Sequence, residues 1–583
     1  MISSLFLHSE SREKPLRIGV LVDSLELSKA FRNVLVDIES SDFARVELVI
    51  LNRQPQLHPG PAGGRLARYL RLLRNSDFRR FFLYAVYQKL DQRHAHFPDP
   101  LEAVDCADIL GNHPRLDVTP LTKRFVHRFP PEAVTAVRAR DLDVLLRFGF
   151  NILRGEVLTS ARCGIWSFHH GDNESYHGGP AYLWEVVEAN PLSGAILQVL
   201  NEKLDDGLVL CKSLFATQQG LWRSRNTFNP YWGSTHFVIR KLHELHERGW
   251  ETVKQNAVAS SPYRGKTAIY RAPDNAQMLK WLVPKIRKKL IRRLNPFRRE
   301  RLYHWRICLA RTDTPRLLPG PKLQRLAYRW VPCPRGHFYA DPFLLQDNQQ
   351  VWLFFEDYLY GEKRGVLSCA PIQPDLSIGD PVRCIDVPYH VSYPHVFRHD
   401  GEVFMIPESS ANESVELWRA AEFPFSWKLE KTLYHGSLVD STPIYHSGRW
   451  YFFTTLVEPS GNAAFGALFT AEQLTGEWFR HPSTPISTDV RRARSAGAIQ
   501  RLDRRLVRPV QDGGENYGAR IHIQEILELT PDTYRESRLG SIEPDWERGL
   551  AGVHTYGYCA GIEVLDAVAW ESRRKVHIGV MKK

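Results

Sequence analysis

A chain of 583 residues is too long for a single core, so its length calls for two or three domains. A hydrophobic content of 43% and a charged content of 24% are ordinary for soluble globular proteins, and no apolar run reaches the roughly 18 to 20 residues that a membrane helix needs. The net charge of +12 is concentrated: ten basic residues and one acid, Glu300, lie between Lys280 and Arg301, so this segment carries +9 and the rest about +3, which argues against a nucleic-acid groove.

The opening MISSLFLHSESREKP lacks a basic n-region and a cleavage site, which predicts a cytoplasmic protein. RIGVLVDS (17–24) and VELVILN (46–52) are short apolar runs, and LELSKAFRNVLVDIE between them has helical spacing. That β-α-β order starts a parallel α/β domain. HPGPAGG (58–64) breaks the pattern, and RLARYLRLLR and FFLYAVYQKLDQR follow as an inserted helical pair. The rhythm resumes with DVLLRFGF (143–150) as a strand, EVLTSA as a helix and GIWSF (164–168) as a strand. PAYLWEVVEANP predicts a helix starting at Pro180, since proline is favoured in the first turn. SGAILQVLN is a strand, and LDDGLVLCKSLF is a turn leading into another.

From about Arg223 to Glu300 the chain is mostly helical and increasingly basic, with Ile286, Leu290, Ile291 and Leu294 on one face of PKIRKKLIRRLN. This segment has two readings: a linker helix docked by its apolar face, or a peripheral contact of 284–294 with an anionic membrane surface.

Beyond residue 303 one pattern recurs: a strand start, a short polar turn, then a strand rich in aromatic and β-branched residues. It appears at 341–358, 393–409, 441–455 and 496–512, with a weaker copy at 555–567. Copies about 50 residues apart and all strand predict a five-bladed β-propeller. The expected organisation is a multi-domain α/β plus all-β chain, with a Rossmann-like domain over 1–222, a basic helical linker over 223–302 and a propeller over 303–583. The eight cysteines show no CxxC and no close Cys/His spacing, so neither a disulfide scaffold nor a metal site is expected.

In parallel α/β sheets ligands sit outside the carboxyl ends of the strands, which is where WSFHHGDNESYHGGPAYLW (166–184) begins. A histidine there, with an acid at the end of the next strand, has the parts for proton transfer; the pairs are His169 or His170 with Asp205 or Asp206. Capping residues on adjacent turns are the alternative. In the second half, polar residues at the repeat starts converge on a funnel: Asp341, Tyr393, Asp440, the Arg491, Arg492 and Arg494 cluster, and His554, with Glu356, Glu408 and Asp512 in or after the second strands.

GIWSFHHGDNESYHGGPAYLWEVV…SGAILQVLNEKLDDGLVL resembles the formyltransferase superfamily that uses N10-formyltetrahydrofolate, over roughly residues 15–220 and most specifically 164–210. The resemblance implies His169 as the catalytic histidine and Asp205, 36 positions on, as the aspartate that organises it. Ser167 stands where the family carries the oxyanion-binding asparagine, with His170 or Asn173 as substitutes. It further implies His170, Asn173, Gly179 and Asp206 beside the folate, and His177 as loop. The second half, about 303–570, resembles the arabinanase, invertase and family-43 glycosidase propellers. Its ADPF, LFFED and SYPHVF…MIPES look most like the propeller attached to plant glucosamine inositolphosphorylceramide transferases. Asp341 and Glu408 occupy places comparable to the glycosidase base and acid, and the arginine-rich TDVRRARSAG suits a phosphate or carboxylate.

Together these imply formyl transfer to an amino group of an amino sugar or sugar nucleotide in surface-glycan biosynthesis, with a propeller that binds or processes glycan. The rivals are a non-catalytic glycan- or partner-binding protein with a degenerate formyltransferase fold, and a propeller-borne glycosidase or glycosyltransferase.

Overall fold

The computed structural model describes residues 2–54, 79–203, 206–259, 261–294, 301–317, 327–457, 464–502, 504–572 and 576. The expected helix RLARYLRLLR, the acid Asp205 and the basic stretch 295–300 lie outside these residues. The chain divides into a mixed α/β unit, Met1–Lys288, and an all-β unit, Lys289–Val457 with Ala464–Lys583.

The first unit is built on seven strands: β1 (Leu16–Val22), β2 (Ala44–Asn52), β3 (Arg115–Val118), β4 (Val144–Arg147), β5 (Ile165–His169), β6 (Leu192–Val199) and β7 (Leu208–Ala216), in the spatial order β7-β6-β5-β4-β1-β2-β3. The pairs from β5 through β4, β1 and β2 to β3 are parallel, while β6 and β7 add antiparallel. The central strands are near-continuous apolar runs because helices cover a parallel sheet: Leu21, Leu48, Ile50, Leu145 and Ile165 are buried together. Gly19 is required in β1, since a Cβ there would lie 2.5 Å from Leu145 Cδ2.

Helix α1 (Lys29–Glu39) follows β1 and is capped by the Ser28 side chain, which accepts from the Phe31 N–H. Its buried face is Ala30, Val34, Leu35 and Ile38. Helix α2 (Phe82–Gln92) coincides with FFLYAVYQKLDQR. EVLTSA forms only a short 3₁₀ turn, Glu156–Thr159. The helix expected from Pro180 is reduced to α3 (Trp184–Val187), because Tyr182 takes φ +62, a left-handed conformation that no helix continues through.

Within the stretch 223–302, expected as a linker, helices α4 (Arg223–Trp232) and α5 (His236–Gln255) cluster with the first unit. The α5 face of Phe237, Val238, Ile239, Leu242 and Leu245 is buried, and the helix packs on β7 and α1. Helix α6 (Asn275–Leu294) ends the helical stretch. Among the described residues no helix is long and apolar enough to cross a membrane.

The second unit holds five antiparallel sheets in succession. Four begin with hairpins that match the repeated pattern: His337–Asp347 with Gln350–Leu359, Ser392–His399 with Glu402–Glu408, Leu438–His446 with Arg449–Val457, and Gln500–Leu502 with Arg505–Asp512. The fifth pairs Tyr556–Cys559 with Ile562–Ser572. In that last sheet Arg301–Arg311 runs antiparallel to Ile562–Ser572 over eleven paired positions, so strands from both ends of the unit share one sheet.

The first strands of the first three sheets share an irregularity. Register breaks between Ala340 and Phe343, Ser392 and His395, and Val439 and Thr442. At each break a non-glycine residue is left-handed: Asp341 at φ +50, Tyr393 at +46 and Asp440 at +52. Bulges of this kind re-aim a side chain, and the backbone strain they hold concentrates at functional sites.

Candidate functional site

Two polar sites emerge, one in each unit. In the first, His169 ends β5 and its Nε2 donates to the Tyr176 carbonyl at 2.9 Å. The loop beyond is held by charge: Lys212 lies 2.7 Å from both Asp172 and Glu174, and Arg264 is 2.7 Å from Glu174. Gly194, inside β6, lets the loop approach, since a Cβ there would lie 2.7 Å from Asp172 Cα.

Ser167 is buried, and Arg147 from the neighbouring strand β4 donates Nε to its Oγ at 3.0 Å. The same guanidinium donates to the Phe150 and Asn151 carbonyls. A cation therefore stands beside Ser167, where the resemblance expects a neutral amide. The sequence reading missed Arg147, which is paired opposite Ser167 in the parallel register but 20 positions away in the chain.

His170 does not join His169. Its ring stacks on Tyr231 at 3.9 Å and on Phe168 at 5.8 Å, and the desolvation of this partly buried ring pushes its pKa down to about 3, so it is a neutral ring packed among aromatics. Asn173 has a buried Oδ1 without a hydrogen-bond partner, while its carbonyl accepts from His177 Nε2. Gly179 donates its N–H to the Tyr270 carbonyl at 3.1 Å, and a Cβ on Gly178 would lie 2.4 Å from that oxygen. Gly178 thus allows close packing on the 270 segment. Asp206 is exposed, with Lys203 at 3.4 Å.

A further acid was not foreseen. Glu185, in α3, is buried, its Oε1 has no hydrogen-bond partner, and burial raises its carboxyl to about 7 despite the nearby charge of His169. It lines a cavity of about 10 Å³ with His170, Tyr176, Gly179, Tyr182 and Tyr270. That volume takes roughly one water, so the cavity is not a pterin pocket. Among the described residues, His169 and the Arg147–Ser167 pair are the polar groups of this strand end.

In the second unit the bulges aim side chains at one another. Asp341 Oδ1 accepts from Thr555 Oγ1 at 2.8 Å, and the Asp341 N–H donates to Asp566 Oδ2 at 2.9 Å. His554 Nδ1 lies 2.6 Å from Asp566 and Nε2 3.8 Å from Asp341. Burial works against charge on His554, but the Asp566 and Asp341 carboxylates overcome it and raise its pKa. Its ring stacks on Trp305 at 3.8 Å. Asp440 is buried and paired with the guanidinium of Arg494, and it accepts from Gln511 Nε2 at 3.2 Å. Arg494 in turn lies over the Tyr517 ring at 5.1 Å.

The pKa values of the remaining carboxyls are raised. Burial, then repulsion from Asp440 and Asp566, lifts Asp341 to about 6 against the pull of His554. Glu356 is driven well up by burial and by Asp341, Glu408 and Asp566. Burial raises Glu408 as well, although the Ser410 N–H donates to it at 3.0 Å. These mutual influences define one cluster. Tyr393 braces it: its hydroxyl meets Thr442 Oγ1 at 2.9 Å and accepts from the Gly497 N–H at 2.8 Å.

Three expected members of the funnel have ion-pair partners close by. Arg491 binds Asp489 at 2.7 Å and Arg492 lies 3.9 Å from the same carboxylate, so this turn engages its own acid. Asp512 is engaged within its own sheet by His522 at 3.0 Å and Arg520 at 3.5 Å. Burial opposes its ionisation, yet the His522 contact and the Gly514 N–H hold its pKa low. The sequence reading missed Asp566, Thr555, Gln511 and Trp305. Asp566 sits in the second strand of the fifth copy, as Glu356 does in the first, so the rule that found Glu356 reaches it.

No metal was expected, but Asp341, His554 and Asp566 bring one ligand atom each within 4.8 Å of one another. The set has the chemistry for a cation, while in this arrangement its members already hydrogen-bond or pair among themselves.

Residues 332–549 match the family model described as glucosamine inositolphosphorylceramide transferase 1, N-terminal. The chain is 35% identical over 211 residues to glucosamine inositolphosphorylceramide transferase 1 of Arabidopsis thaliana and 31% identical over 207 residues to the protein of that name in Oryza sativa subsp. indica. Each match takes in 34% of this chain and, respectively, 27% and 28% of the relative, so the chain spans about a quarter of the length of these curated relatives. Among solved structures, glycinamide ribonucleotide transformylase 1 from Symbiobacterium toebii is 15% identical over 42% of this chain and 92% of its own, with a TM-score of 0.27. The α-L-arabinanase of Cellvibrio cellulosa is 12% identical over 34% and 77%, also at 0.27. At those scores neither likeness carries an argument. The matched span contains Asp341, Glu356, Glu408, Asp440 and Arg494 but neither His554 nor Asp566. The first four sheets of the second unit are therefore similar to the N-terminal part of glucosamine inositolphosphorylceramide transferase 1, and the first unit lies outside that similarity.

Proposed function

We propose that the second unit is a five-bladed propeller whose axial site recognises an amino sugar. The observation that carries this reading is the single cluster formed by Asp341, Glu356, Glu408, Asp440–Arg494 and His554–Asp566, contributed by residues from every one of the five sheets. Carboxyl groups accept hydrogen bonds from an ammonium and from ring hydroxyls. The name of the matched relatives, which contains glucosamine, supports an amino sugar over a neutral one. Glu408, whose pKa burial raises, would serve as a general acid, and Asp440, paired with Arg494, as a fixed carboxylate. These are the parts for acting on a glycosidic or glycosyl-phosphate bond.

The first unit favours a second, compatible reading: transfer of a formyl group to the sugar nitrogen. Its support is the strand-end His169 beside the Ser167–Arg147 pair. N10-formyltetrahydrofolate would supply the one-carbon group. The chain's own contribution would be Arg147 and His169 as donors to an oxyanion and a basic group to take the amine proton.

Calorimetric titration of the full chain with glucosamine and N-acetylglucosamine tests the first reading. Binding of glucosamine that is lost in Asp341→Asn supports it, and equal heats in wild type and variant overturn it. Formyl transfer from the folate to a bound amino sugar, measured in His169→Ala and Arg147→Met, tests the second. Unchanged rates in both variants would remove it.

A further inference from the structure

Helix α6 (Asn275–Leu294) is fixed on one side and open on the other. Met278 and Trp281 are buried against Tyr84, Tyr87, Leu183 and Val186, and Lys285 Nζ donates to the Val186 and Gly220 carbonyls. The opposite side carries Leu279, Val283, Ile286, Leu290 and Leu294, spaced four, three, four and four residues apart, which is one stripe along a helix of 3.6 residues per turn. Ile291 lies beside it. These six side chains are between 49% and 75% exposed. Six large aliphatic residues at that exposure within 16 positions exceed the scattered apolar residues of an ordinary surface.

The charge of the same helix selects the occupant. It contains Lys280, Lys285, Arg287, Lys288, Lys289, Arg292 and Arg293 and no acidic residue. Lys280 and Arg287 fall on one flank of the stripe by helical position, and Lys289 and Arg293 on the other. A basic helix that only contacted nucleic acid has no use for an aliphatic ridge between its cations. A protein groove accepts the ridge but would need acids along both rims. An anionic lipid surface takes both parts at once: acyl chains meet the aliphatic stripe and headgroup phosphates meet the flanking cations.

We propose that α6 is a membrane-surface helix, anchored to the first unit by Met278, Trp281 and Lys285, that lays its outer face on anionic lipid. It lies in the interface and does not cross it. The proposal stands independently of either reading of the polar sites.

The test is co-sedimentation of the full chain with phosphatidylcholine vesicles, with and without about 30% phosphatidylglycerol, at low and high salt. Binding should require the anionic lipid and fall with salt. Ile286→Glu/Leu290→Glu should weaken it at least about tenfold, since two buried apolar contacts are replaced by repelled charges. Arg287→Gln/Lys289→Gln should weaken it less and flatten its salt dependence. All four residues face outward, so circular dichroism and unfolding of the variants should match wild type. The proposal is overturned if the chain stays in the supernatant with anionic vesicles, or if the Glu variants sediment as wild type does. It is equally overturned if the Glu variants alter the oligomeric mass in solution while vesicle binding is nil, which would assign the stripe to contact between copies of the chain.

Discussion

Replacing Glu185 by glutamine should stabilise the first unit, and only above a definite pH. The side chain is buried with Oε1 unpartnered, and its carboxyl is lifted from 4.5 to about 7. The folded state thus binds this proton more tightly than the unfolded chain does. Stability falls as pH rises from about 4.5 to about 7 and is flat on either side. The difference between those pKa values makes ionised Glu185 a penalty of about 3 kcal/mol at pH 8. Glutamine keeps the shape and carries no charge. Wild type and Glu185→Gln should therefore unfold alike at about pH 4, with the variant ahead by up to about 3 kcal/mol at about pH 8. Hydrogen exchange of peptides covering β5, α3 and β6, compared between the two proteins at each pH, reads the difference where it arises. A gap of the same size and sign at both pH values would refute the reasoning, because a neutral-for-neutral change at low pH cannot carry an ionisation cost.

Three further outcomes follow from the second unit. Arg494→Met leaves the buried Asp440 carboxylate unpaired and should cost about 3–5 kcal/mol in thermal or urea unfolding; the double variant with Asp440→Leu should recover most of it, and an additive loss would contradict the pairing. Gly497→Ala should destabilise by more than about 2 kcal/mol, since the new Cβ would lie 2.0 Å from the Tyr556 carbonyl at φ +124. Glucosamine affinity should rise as pH increases through about 6, where Asp341 gains its charge, and this step should vanish in Asp341→Asn; a pH-independent affinity in wild type would exclude Asp341 from the contact.

The sheet of the first unit and the repeat of the second were legible because both are written in short-range pattern. DVLLRFGF and GIWSF are apolar runs of strand length, and each hairpin has its own polar turn. The helix entry at Pro180 was misread because Tyr182 takes a left-handed conformation that nothing in its identity announces. The 223–302 segment is strongly basic only towards its end, from Lys280 on. The apolar positions Phe237, Val238, Leu242 and Leu245 of α5 already had core spacing. At the sites, His169 is marked by its strand end, and Asp341 and Asp440 by the repeat starts. Arg147, Glu185 and Thr555 carry no such mark, since their roles come from neighbours 20, 16 and 214 positions away in sequence. Arg491 and Asp512 pair with Asp489 and His522, partners that the repeat starts alone do not reveal.

The pairing of Arg301–Arg311 with Ile562–Ser572 has a consequence for synthesis. The fifth sheet is incomplete until residue 572 has left the ribosome, so a nascent chain carries its four earlier sheets with Trp305 still lacking its cover from His554. The buried carboxyls of those sheets then await the histidine and aspartate that complete their cluster. The first unit has no such dependence and can fold while the rest is still being made. Translation therefore delivers a finished N-terminal unit attached to a β unit whose last eleven-residue strand is the closing step. A stop codon shortly before residue 562 should remove the second unit as a whole and leave the first one intact.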